Sequence, residues 1–158
     1  MHGFSKTLCR AIVSGNVAGT LSAAVAAARA PGDGSTPYAP LNAVTHCFWP
    51  RRALNETGFS ARHTLTGLAI HHAAAVFWAT LFESLLTRRQ RRRDAPPGPA
   101  AVVASAGATA AVAYAVDYHA VPKRLTPGFE AHLSGRSMFY VYAALAAGFA
   151  AAAMCRRE

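Results

Sequence analysis

The sequence predicts an all-α integral membrane protein, a four-helix bundle with a short interfacial helix in its first connection. Three observations carry that class. Of the 158 residues, 53% are hydrophobic and only 15% charged, where a soluble domain carries about 25% charged residues. The apolar residues gather in four windows, near 8–28, 64–87, 100–121 and 137–155, each long enough at about 1.5 Å per residue to cross a hydrocarbon core of about 30 Å. The windows are Ala-rich and lack period-two alternation, which disfavours strands. No change of composition divides the chain, so residues 1–158 are expected to form a single transmembrane domain.

The first window follows Lys6 and Arg10 and is the most polar, with Ser14, Asn16, Thr20 and Ser22 inside it. Ala-Ala-Ala-Arg-Ala at 26–30 mimics a signal-peptidase site, but no boundary with a mature domain follows, so this span is expected to be retained. Gly15 and Gly19 form a GxxxG whose small face extends to Ser22 and Ala26. Such a face lets backbones approach closely, and packing against the chain's own helices is expected ahead of a homodimer face. The turn formers PGDGSTPYAP at 31–40 end the helix. LNAVTHCFW at 41–49 is too short to span and predicts a short surface or re-entrant helix with Trp49 at headgroup level.

The second window, TLTGLAIHHAAAVFWATLFESLLT at 64–87, runs into RRQRRR at 88–93 and stops at DAPPGP. The third ends near Asp117-Tyr118-His119, with breaks at Pro122 and Pro127-Gly128 before the fourth. Lys and Arg number nine on the side of the two termini and RRQRRR, and seven on the other. The dense cluster directly abuts a span, where the positive-inside bias acts most strongly, so both termini are expected in the cytoplasm. Arg88, Arg89, Arg91, Arg92 and Arg93 read as topogenic, lipid-contacting charge. The run has no interleaved aromatics, which argues against nucleic acid despite a net charge of +9.

Candidate ligand or metal residues come from the histidines and carboxylates. His71 and His72 lie two turns inside the second span, and intramembrane ionisable groups are costly and usually face protein or water. With His46, His63, His119 and His132 they place six of the seven histidines on or near the non-cytoplasmic half, beside Asp117, Glu130, Lys123 and Arg124. Neutral imidazoles beside carboxylates are the groups that ligate haem or a divalent metal, or relay protons. The spacing matches no metal signature such as HExxH, and water and headgroups satisfy interfacial histidines equally well. Glu83 lies eleven positions from His72, about 16 Å along a helix, so the two cannot share an ion, and Glu83 is expected to snorkel or to pair with the neighbouring arginines. Cys9, Cys47 and Cys155 form no CxxC pair and read as free thiols. No GxSxG elbow or phosphate-cradling loop supports catalysis, so a non-enzymatic role is expected.

Three stretches, LNAVTHCFWP at 41–50, RHTLTGLAIHHAAAVFW at 62–78 and VDYHAVPKRLTPGFEAHL at 116–133, resemble a family of small multi-pass bacterial inner-membrane proteins with no assigned activity. The resemblance implies a bacterial inner-membrane protein and brings no cofactor or catalytic residue. Two functional expectations follow from the residues. In the first, the periplasm-facing polar end engages a small ligand, an ion or a membrane-protein partner. In the second, histidines from different spans hold haem or a metal for redox chemistry.

Overall fold

The computed structural model describes residues 2–156; Arg157, counted above with the termini, lies outside them. The described chain is helical, with no strand. In order come α1 (His2–Arg29), α2 (Ala39–Val44), α3 (Pro50–Ala53), α4 (Thr66–Arg93), α5 (Pro99–Ala115) and α6 (Gly135–Met154). Four helical segments, Ser5–Asp33, Ala61–Arg93, Pro99–Ala120 and Gly135–Met154, are long and apolar enough to cross a membrane. They match the four apolar windows, but α1 starts earlier and α4 carries RRQRRR within the helix. Arginine is a good helix former, and nothing breaks the ladder before Asp94, whose left-handed backbone at φ 48° ends it.

Ala-rich helices approach closely wherever nothing larger than a methyl separates them. α1 packs along α4 on one side and α6 on the other, and α5 closes the ring against α6 and α4. A Cβ placed on Gly15 would fall 2.4 Å from the Val76 Cα, and one on Gly148 would fall 2.4 Å from the Ala18 Cα. Gly15 and Gly19 therefore face α4 within the chain, Gly19 against His72 and Ala75. One apolar core fills the bundle, with Phe82 and Phe149 stacked at 5.3 Å. A second, with Phe129, Leu133 and Met138, lies towards the end formed by residues 30–60 and 116–134.

The short helix of the first connection forms, but α2 differs from a surface helix. All six of its residues are buried, covered by the segment that begins α4 and by the connection before α6. Its backbone is held by a polar clamp. The Asn42 amide donates to the Glu56 and Gly58 carbonyls at 2.8 Å each and accepts from the Thr64 hydroxyl at 2.6 Å. Buried amide groups with every bond made lock a segment in one position.

Candidate functional site

Two wide turns shape the polar end of the bundle. Residues 116–120 leave the α-helical pattern, and the Val121 N–H donates to the Val116 carbonyl five residues back. Such π turns rotate a side chain out of the α-helical register, and this one carries Asp117. A second precedes α4 at Ala61–Leu65, started by Ser60, whose side chain accepts from the His63 N–H.

Between α1, α4, α6, the 116–120 turn and the 125–129 segment lies a partly enclosed cavity of about 180 Å³. By liquid volume that is room for about six waters. Its wall is mostly apolar, including Ile70, Leu125, Phe129 and Leu145, and its polar groups are Ser22, His71, Trp78, Asp117, Thr126 and Tyr142. The three stretches at 41–50, 62–78 and 116–133 supply all of this wall except Ser22, Val141, Tyr142 and Leu145.

The two adjacent histidines have different tasks. The His71 Nε2 lies 3.1 Å from the Gly19 carbonyl and 3.0 Å from Ser22 Oγ. A carbonyl only accepts, so Nε2 carries the proton, and in the neutral ring Nδ1 keeps its lone pair. His72 has the opposite tautomer. Its Nδ1–H donates to the Leu68 carbonyl at 2.9 Å and its Nε2 accepts from the Thr20 hydroxyl at 3.2 Å. The two rings stand edge to face at 5.9 Å. His71 lines the cavity; His72 does not.

Asp117 joins His71 on the wall, and Tyr142 donates its hydroxyl hydrogen to Asp117 Oδ2 at 2.7 Å. The other candidates are distributed elsewhere. His63 is buried, with Nδ1 2.9 Å from the Thr45 hydroxyl and its ring 5.1 Å from Trp49. His46 bridges α2 to the last connection, with ring nitrogens 2.9 Å from the Ala43 carbonyl and 3.0 Å from the Lys123 carbonyl. His119 is exposed beside Tyr114. Glu130 is exposed and accepts from Thr126 at 3.0 Å. His132 bonds Ser35 at 3.0 Å, and its burial lowers its pKa from the usual 6.5, favouring the neutral ring. Lys123 and Arg124 are exposed, and Arg124 donates to the Cys47 carbonyl at 3.1 Å.

Among the described residues no three His, Cys, Asp or Glu side chains gather where they could hold one metal ion. The polar end thus divides into a structural cap, holding His46, His63 and His132, and a cavity holding His71 and Asp117. Sequence reasoning passed over Trp78, Phe129 and Tyr142 as wall residues. The available signal was spacing, since Trp78 lies seven residues, about two helical turns, beyond His71 and so on nearly the same face.

At the opposite end, Glu83 is buried rather than snorkelling. Its Oε1 accepts from the Ser14 hydroxyl at 2.5 Å and from Arg156 Nη2 at 2.6 Å. A cation that pairs with it, Arg156, comes from the segment after α6 rather than from the neighbouring 88–93 run, because the carboxylate lies on the inward face beside α1 and the segment leaving α6.

No family model, curated protein or solved structure matches the chain.

Proposed function

We propose that this chain is a bacterial inner-membrane protein of four spans that binds a small molecule in the cavity beside His71 and Asp117. Support for the membrane comes from the four long apolar helices and from what they expose. Phe77, Val103 and Phe139 are 65%, 56% and 69% exposed, and exposed apolar faces of that kind suit a hydrocarbon solvent. The termini of the described chain and RRQRRR lie at the same end of the bundle, as the Ser14–Glu83–Arg156 contacts require, and the positive-inside bias assigns that end to the cytoplasm. Cys155 is exposed there. In a chain whose sole cysteine is Cys155, a membrane-impermeant maleimide should label it only after the membrane is opened. A Lys123→Cys variant without the native cysteines should label in intact cells or spheroplasts; the reverse pattern would overturn the orientation.

The observation that carries the binding role is the cavity, whose apolar wall with a few convergent polar groups is the usual form of a small-molecule site. Its size suits a compact ligand rather than a macromolecule. Ala74 lines it, so Ala74→Leu should fill the space while leaving the His71 and Asp117 side chains in place as chemical groups. Native mass spectrometry of the full chain, taken from its own membrane in mild detergent, should show a bound small molecule that Ala74→Leu lacks. Identical spectra for both proteins would remove the binding reading.

A further inference from the structure

The hydrogen bonds already made within the cavity wall restrict what it can take, and the restriction rests on the binding role above. The donors there are largely committed. The Ser22 hydroxyl hydrogen goes to the Ala18 carbonyl at 2.7 Å. The His71 Nε2–H is shared by Gly19 and Ser22. The Tyr142 hydroxyl donates to Asp117. What the wall still offers is acceptor capacity, the His71 Nδ1 lone pair and the remaining lone pairs of the Asp117 carboxylate. Among the described residues no Lys or Arg lines the cavity, so an ionised Asp117 has no counter-charge among them on the wall. The Tyr142 hydroxyl and the Trp78 indole N–H already donate to Asp117, and a partner that adds positive charge together with further donors stabilises such a carboxylate more strongly than neutral donors do. The aromatic wall, Trp78, Phe129 and Tyr142, suits the same partner, since ring faces attract cations.

We infer that the cavity binds a small primary ammonium with a compact apolar body, its N–H groups donated to Asp117 and His71 Nδ1. The apolar body occupies the side lined by Ile70, Val141 and Leu145. A neutral isostere with one hydroxyl supplies a single donor and no charge, so the site discriminates against it. Charge-assisted bonds are roughly twice as strong as neutral ones.

The test uses the full chain in nanodiscs of zwitterionic phosphatidylcholine, where an amine gains nothing from lipid charge, with calorimetric titration of benzylamine and of benzyl alcohol. Benzylamine is expected to bind saturably, one per chain, roughly tenfold or more tighter than benzyl alcohol. Asp117→Asn should remove that preference. Tyr142→Phe keeps the carboxylate, so it should keep the preference for the amine over the alcohol, and it serves if Asp117→Asn does not fold. Equal affinity for amine and alcohol overturns the ammonium assignment while leaving a binding cavity. Failure of benzylamine to bind the wild-type protein overturns the assignment too. Bound-ligand masses that do not respond to Ala74→Leu would instead remove the underlying binding role.

Discussion

Gly67→Ala is expected to destabilise the bundle by about 3 kcal/mol or more, beyond the usual range for overpacking. The added Cβ would fall 1.9 Å from the Leu41 carbonyl oxygen and 2.9 Å from its carbon. Both are backbone atoms, so no rotamer change relieves the clash. Nor can α2 retreat easily, because Asn42 is bonded to Glu56, Gly58 and Thr64. Gly107→Ala provides the contrast. Beyond its chain neighbours and its own helix backbone, no atom of the described residues lies within 4 Å of its Cβ position, and alanine in a helix interior gains about 0.5–1 kcal/mol over glycine. Thermal midpoints of the two variants in one detergent should move in opposite directions. Gly67→Ala melting with the wild type would mean that α2 does not sit against α4 as described.

Arg156→Ala should cost about 3 kcal/mol, the lower end for breaking a buried ion pair, because the Arg156 side chain is 25% exposed while Glu83 is 1% exposed. The loss comes chiefly from taking the Arg156 guanidinium away from a buried carboxylate that also accepts from the Ser14 hydroxyl. Glu83→Gln in the same background removes the stranded charge and should recover most of the stability. The informative quantity is therefore the coupling between the two substitutions, read as a double-mutant cycle on thermal midpoint and detergent-extracted yield. Strict additivity would show that the pair does not hold the C-terminus to the bundle.

Both predictions concern contacts that sequence periodicity did not reveal. The four long helices were legible because alanine and leucine runs of span length, ended by PGDGSTPYAP, DAPPGP and Pro122, leave few alternatives for a backbone that must satisfy itself. The GxxxG at Gly15 and Gly19 was legible as a packing face, since close approach needs missing side chains whatever the partner. Gly67 was not. A glycine in an apolar run looks dispensable until the Leu41 carbonyl is found against it. Glu83 was expected to snorkel or to pair with the neighbouring arginines, because Arg156, which it meets, lies 73 residues away.

The candidate site divides along the same line. The composition, the number of long apolar helices and the gathering of histidines and carboxylates towards one end follow from the sequence, because each depends on hydropathy and turn chemistry along a continuous segment. Which of those residues share a cavity does not. His71 and His72 are neighbours, yet a helical rotation of about 100° turns one to the cavity and the other to Thr20. Asp117 reaches the same cavity as His71 through a π turn, and its Tyr142 partner lies on another helix. Those positions are decided by helix rotation and by side-chain bonds between distant segments, quantities that exist only once the bundle has packed.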